Sequence, residues 1–166
     1  MPVPYRVDTP YPRPEHLDRN IRYARILLNS YSGQGSELTA VMQYLYHHQM
    51  AERQRQDVSD CLRGIAIVEM HHLELLGEYI NRLGLYPTYS FYQGTRRMRW
   101  NSGFVCYGRN LRDMLDSDIA AETKAIEGYE RDIRSIPDPV IQSLLRRIIE
   151  DEEIHVKALT DLRQTL

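Results

Sequence analysis

The chain predicts an all-α fold: a bundle of four long helices with one long crossover between its second and third members, preceded by a shorter helix and an extended arm. Three observations carry this. Apolar residues recur at 3–4-residue intervals through four long segments. Proline and glycine punctuate the chain so that two joins are short and one is long. A lone Glu followed by Glu-x-x-His also occurs twice: Glu37 then Glu69-Met70-His71-His72, and Glu122 then Glu152-Glu153-Ile154-His155.

Residues 1–14 hold Pro2, Pro4, Pro10, Pro12 and Pro14, five of the eight prolines. Proline fixes φ and lacks an N–H, so this stretch predicts an extended arm, either a free tail or a strap on a neighbouring subunit. Residues 15–166 then read as one bundle domain. From Glu15 to Tyr31 the pattern is helical, with Leu17, Ile21, Ala24 and Leu28 on one side. Ser32-Gly33-Gln34-Gly35 interrupts it, and Ser36 is an N-cap for a helix running to about Arg53.

The next helix spans about Val58 to Leu83 and stops before Gly84. Its inward positions read Leu62, Ile65, Glu69, His72, Leu76, Tyr79 and Leu83, a 3–4 alternation. About 26 residues rich in Tyr, Arg and Gly follow, from Gly84 to Arg109, as a loop crossover. The third helix begins near Asn110, an N-cap with Asp113 in the first turn, and ends before Pro137. The last begins at Asp138-Pro139, where Asp caps and Pro suits the first helical position. It presents Ile141, Leu145, Ile148, Glu152, His155, Leu159 and Leu162 on one face. The joins near 54–57 and 135–138 are short and link antiparallel neighbours, giving two hairpins joined by one crossover.

Bulk properties exclude several function classes. A length of 166 residues suits one domain with a sizeable core. A net charge of −2 offers no polybasic surface, so nucleic acid is not an expected partner. No apolar run approaches the roughly 20 residues of a membrane span, and the N-terminus lacks a signal-peptide pattern. Two cysteines, Cys61 and Cys106, make neither a thiolate cluster nor a disulfide framework. The expected setting is cytoplasmic.

Residues three apart on a helix share a face, so Glu69 with His72, and Glu152 with His155, point the same way. Both pairs fall on stripes otherwise built of Leu, Ile and Tyr. Turning these acids outward would expose Leu62, Ile65, Leu76 and Leu83 as well. Buried carboxylates are costly unless paired or bound to metal, and this residue set is what helical bundles use to hold two ions. Four Glu offset the +4 of two divalent cations, and each His supplies a neutral nitrogen. Iron and manganese both suit such donors.

Around these six, His71 and Glu153 lie off the stripe and read as surface groups or partners of a ligand. His47 and His48 sit about 15 Å from Glu37 along the helix, too far to share its ions. Tyr44 and Tyr129, each seven residues after a lone Glu, either pack in the core or hydrogen-bond a ligand from behind. Asp118 is a candidate to orient a ligating His, with Asp151 a weaker one. Arg96-Arg97-Met98-Arg99-Trp100 in the crossover fits packing over the bundle or a subunit contact better than nucleic-acid binding.

With these motifs assembled, the chain resembles the ferritin-like superfamily of carboxylate-bridged dimetal proteins over roughly residues 20–165. Tyr31-Ser32-Gly33-Gln34-Gly35-Ser36-Glu37-Leu38-Thr39-Ala40 and Ile67-Val68-Glu69-Met70-His71-His72-Leu73-Glu74 are similar to the first two helix motifs of manganese catalases. Ala121-Glu122 through Tyr129, and Asp151-Glu152-Glu153-Ile154-His155, look more like rubrerythrin or bacterioferritin. The resemblance implies metal ligation by Glu37, Glu69, His72, Glu122 and His155. It makes Glu152 a ligand in the rubrerythrin pattern and a catalytic acid–base group in the manganese-catalase pattern. It implies an oxidoreductase using two iron or manganese ions on hydrogen peroxide or dioxygen, as a homo-oligomer of two or more subunits. Alternatives are a ferroxidase that handles iron, a coat-type structural protein keeping the bundle, and an oxygen-activating enzyme for organic substrates. The chain departs from the rubrerythrin pattern in having no Cys-rich electron-transfer module, and from manganese catalases in being much shorter.

Overall fold

The helix starts follow from the capping residues the sequence supplies. The computed structural model describes residues 5–166. Among them are five α-helices: α1 (Ile21–Ser32), α2 (Glu37–Ala51), α3 (Gln56–Arg82), α4 (Leu111–Ser135) and α5 (Pro139–Arg163). Ser36 Oγ accepts the Thr39 N–H at 3.3 Å, and Asn110 Oδ1 accepts the Asp113 N–H at 3.0 Å. Asp138 Oδ1 accepts from Val140 and Ile141 at 2.9 and 3.0 Å. Each cap satisfies a helix-end donor that would otherwise lack a partner. Helix α3 has no side-chain cap. Asp57 in its first turn instead favours the positive end of the helix dipole.

Helices α2–α5 form the four-helix bundle as two hairpins, α2–α3 and α4–α5, with α1 lying across α3. Two sequence expectations need correction. Helix α1 begins at Ile21, six residues after Glu15, because Asn20 Oδ1 caps it by accepting the Tyr23 N–H at 3.1 Å. The crossover is also not all loop. It contains an antiparallel hairpin, β1 (Ser90–Gln93) with β2 (Arg96–Arg99), in the register Ser90↔Arg99 to Gln93↔Arg96. Gly94, at φ +62°, opens the two-residue turn, where the right-handed strand twist calls for a left-handed residue.

The crossover packs on its own bundle. Ser32 Oγ donates to Ser90 C=O at 2.8 Å, and Trp100 Nε1 donates to Thr39 Oγ1 at 3.0 Å. Arg97 is bound within the crossover to Ser90 Oγ and Thr88 Oγ1, at 2.9 and 2.7 Å. The N-terminal residues from Tyr5 onward lie against this same chain's bundle, on α3 and α5. Pro2 and Pro4 lie outside the described residues.

The apolar core comes in two bodies. One is built from Leu27, Leu28, Leu76, Ile80, Leu145 and Ile148 with their neighbours. The other centres on Leu62, Ile65, Met114, Leu115 and Leu159. Helices α3 and α5 run through both, so the acidic stretch between Ile65 and Leu76, and between Ile148 and Leu159, is held between two dry walls.

A polar tie joins α1 to α4, where Ser30 Oγ donates to Asp132 Oδ2 at 2.8 Å. Burial raises the Asp132 carboxyl to about 6, against relief from Ser30 and Arg131. The unfolded chain titrates near 3.9. The native state therefore holds a proton between these values that the unfolded state has lost, and stability falls as pH rises through about 6. Allowing for partial exposure, the loss is about 1–2 kcal/mol. Asp132→Asn keeps the acceptor for Ser30 and removes the charge. It is expected to raise the melting temperature by about 4 °C at pH 8 and to leave it unchanged at pH 4. An equal gain at both pH values would contradict the assignment.

Candidate metal centre

Six side chains converge between the two apolar bodies: Glu37 from α2, Glu69 and His72 from α3, Glu122 from α4, Glu152 and His155 from α5. None is more than 4% exposed. They form two overlapping groups: Glu37, Glu69, His72 and Glu152, and Glu69, Glu122, Glu152 and His155. Within each group, one donor atom per residue lies within 4.8 Å of the others. Glu69 and Glu152 belong to both.

The halves are related by a pseudo-two-fold exchange that can be checked contact by contact. His72 Nδ1 lies 3.2 Å from Glu69 of its own helix and 3.2 Å from Glu152 of the other half. His155 Nδ1 lies 3.0 Å from its own Glu152 and 2.9 Å from Glu69. The Tyr129 hydroxyl donates to Glu37, and the Tyr44 hydroxyl donates to Glu122. Each tyrosine thus crosses to the lone Glu of the opposite half, so both bond a cluster carboxylate as well as packing in the core.

Charge is distributed unevenly. Burial pushes Glu37 and Glu122 well above the usual carboxylate range, with neighbouring carboxylates adding to it. Burial acts the same way on Glu69 and Glu152. For Glu69 the hydrogen bond from Glu37 and the charge on His155 outweigh it, and for Glu152 the two imidazoles do; both stay ionised at lower pH than usual. Burial disfavours charged imidazole, yet the surrounding carboxylates hold His72 and His155 well above their ordinary value. The groups on which this environment favours a proton are the donors a cation would use, so cation binding competes with protonation.

The donor set fits a pair of metal ions on two further observations. Glu69 Oε1 and Glu152 Oε1 are buried with no hydrogen-bond partner, although each sits near a ring nitrogen at an angle unsuited to a bond. Buried orphan carboxylate oxygens are rare and call for an explanation. Both orphans belong to the two residues shared between the groups. The arrangement can hold two divalent ions, iron or manganese, with oxygen and imidazole donors.

Of the flanking candidates, Asp118 is a correction. It is buried, but its Oδ2 pairs with His47 Nδ1 at 2.8 Å and its Oδ1 accepts from Gln43 Nε2 at 2.8 Å. His47 Nε2 meets the Cys106 carbonyl at 2.7 Å, and the Cys106 N–H donates to Gln43 Oε1 at 2.7 Å. This closed network anchors the crossover to α2 and α4 and orients neither cluster histidine. Asp151, ranked lower from sequence, takes that place: its Oδ2 lies 3.1 Å from His72 Nε2. His71 and Glu153 face outward, and His48 is bound to Ser59 Oγ at 2.8 Å.

Sequence reasoning missed three contributors: Arg147, Tyr11 and the Tyr5 carbonyl. Arg147 Nη1 donates to Asp151 Oδ1 at 2.7 Å, and the Tyr11 hydroxyl donates to Asp151 Oδ2. Burial raises the Asp151 carboxyl, but donation by His72, Tyr11 and Arg147 outweighs it and brings it to about 2. The spacing of Arg147 and Asp151, four apart on one helix, was the available signal.

Comparison with known proteins agrees with this fold. A bacterioferritin from Desulfovibrio desulfuricans is 29% identical over 143 residues, covering 84% of this chain and 74% of that protein. A probable manganese catalase from Clostridium acetobutylicum is 27% identical over 157 residues, covering 82% of this chain and 68% of that protein. The crystal structure of a manganese catalase from Anabaena superposes with a TM-score of 0.82 at 24% identity, covering 96% of this chain and 80% of the other. The family profile of the ferritin-like domain matches residues 33–166, and the chain belongs to that family.

Proposed function

We propose that this protein is a dinuclear metal oxidoreductase that consumes hydrogen peroxide, with manganese or iron as its resident pair. The observation that carries the reading is the sharing of Glu69 and Glu152 between two buried four-residue groups. Glu37 and His72 would complete one ion's ligands, Glu122 and His155 the other's, and Glu69 with Glu152 would serve both. Membership of both groups favours Glu152 as a ligand over a free acid–base group.

When bound, the ions supply Lewis acidity and a two-electron capacity toward a small oxidant. The protein's part is positioning and exclusion. Tyr129 and Tyr44 fix the lone carboxylates by donating to them, and the two apolar bodies keep bulk water from the centre. Peroxide disproportionation needs no outside reductant, since one peroxide is oxidised to dioxygen while another is reduced to water. The kinship with the probable manganese catalase supports this chemistry. The reading includes a proline-rich arm over residues 1–14 and one bundle over 15–166, a homo-oligomer of two or more subunits, and a cytoplasmic setting. Among the described residues no helix is long and apolar enough to cross a membrane.

Kinship with bacterioferritin favours a second reading, in which iron(II) is the substrate and is oxidised at the same residues. One pair of assays separates the two. Manganese-loaded protein is expected to evolve dioxygen from hydrogen peroxide without added reductant, at half the molar rate of peroxide loss. Absence of dioxygen, together with rapid iron(II) oxidation by a shell of dozens of subunits, would select the second reading.

A further inference from the structure

The outer nitrogens of the two cluster histidines are held differently, although the inner contacts obey the pseudo-two-fold exchange. His72 Nε2 faces Asp151, the residue just before Glu152. The equivalent position before Glu69 is Val68, buried and apolar, which cannot accept from His155. The Tyr5 carbonyl takes that place, 2.9 Å from His155 Nε2. A carbonyl only accepts, so His155 carries its hydrogen on Nε2 and turns the Nδ1 lone pair toward the carboxylates when neutral. Asp151 receives the Val7 N–H at 2.8 Å, the Tyr11 hydroxyl and Arg147. Arg147 in turn donates to the Val7 and Thr9 carbonyls, each at 2.7 Å.

Tyr5 is held at φ +69°, a left-handed conformation unfavourable by roughly 1–2 kcal/mol for a residue with a side chain. Such an outlier persists where surrounding contacts over-determine it and is a pointer to function. Its ring lies against Gly64 of α3, where a Cβ would collide with the ring carbons. A glycine inside a helix weakens that helix by about 1 kcal/mol relative to alanine, and here it makes room for the arm.

We infer that segment Tyr5–Tyr11 is a working part of the metal centre: it sets the ligating tautomer of His155, steadies the Asp151 carboxylate that faces His72, and tightens the hold on the ions so that they escape more slowly. The arm replaces the acceptor that Val68 cannot supply, and through Asp151 it braces His72 as well. Tyr5 and Tyr11 are positioning residues. This rests on the dimetal reading but not on the choice of substrate. Partners behind metal-bound histidines typically alter metal affinity by about 10–100-fold. By linkage, an arm that raises the affinity for metal must itself be held more tightly when metal is bound.

The test loads the full chain with manganese(II), adds excess EDTA and follows release, alongside a variant lacking residues 1–13 and the variant Gly64→Ala. Gly64→Ala leaves arm and ligands intact, dislodges the Tyr5 ring and favours the helix, so its metal-free melting temperature should hold or rise. Release about ten-fold faster in the folded variants is expected, together with slower trypsin cleavage after Arg6 in the loaded parent than in the metal-free parent. Should the deletion fail to fold, Gly64→Ala decides. Parental release rates in every folded variant, with metal-independent cleavage, would overturn the inference and leave the dimetal reading standing. A parent that retains no manganese or iron would end both.

Discussion

Replacing Glu69 and Glu152 together by glutamine is expected to abolish retention of both ions and to lower the stability of the metal-free protein. The two residues are the only members common to both four-residue groups, so losing their charge removes two of the three carboxylates in each group. Without metal, Glu69 and Glu152 are the carboxylates that stay ionised beside His72 and His155, while Glu37 and Glu122 resist ionisation. Removing one side of a buried ion pair leaves the other charge uncompensated and costs about 3 kcal/mol. For a chain of this length that is roughly 5–10 °C in melting temperature. The loss is smaller if the imidazoles release their protons once the two carboxylates are gone. Metal analysis with thermal unfolding of both proteins reads the result. A double variant that still carries two ions, or a metal-free form more stable than its parent, would contradict the assignment.

Removing metal from the parent should have the larger effect. A ligand that binds only the folded state at 100 times its dissociation constant stabilises by about 2.7 kcal/mol, so two ions contribute about 5 kcal/mol. The corresponding drop in melting temperature on chelation is about 10–20 °C. Restoring manganese or iron should recover it, and magnesium should not, because it favours all-oxygen sites that keep several waters. An unchanged melting temperature after exhaustive chelation would mean that the cluster closes on itself and takes up no cation.

The bundle was legible because its helices obey local rules. Ser36, Asn110 and Asp138 cap where they stand, and the stripe from Leu62 to Leu83 is buried throughout. The six cluster residues were legible because a Glu or His on an apolar stripe is forced inward with its neighbours. What escaped depends on contacts across the chain. Asp118 and Asp151 look alike from sequence, and only the approach of α2 to α4 and of α3 to α5 assigns the first to His47 and the second to His72. The Gly94 turn was a recognisable hairpin signal inside a segment whose Arg and Tyr content drew attention elsewhere. The part played by Tyr5 was not legible at all, because the group that matters is a backbone carbonyl, which every residue has. Gly64 was its one trace, a helix-interior glycine whose use appears only when the arm is laid over it.

The most direct measurement is anomalous diffraction from crystals of the manganese-loaded protein, recorded near the manganese edge. Two peaks are predicted, both bounded by Glu69 and Glu152, one beside His72 with Glu37 and one beside His155 with Glu122. Peaks confined to the molecular surface, or an interior with no anomalous density between those carboxylates, would contradict the account.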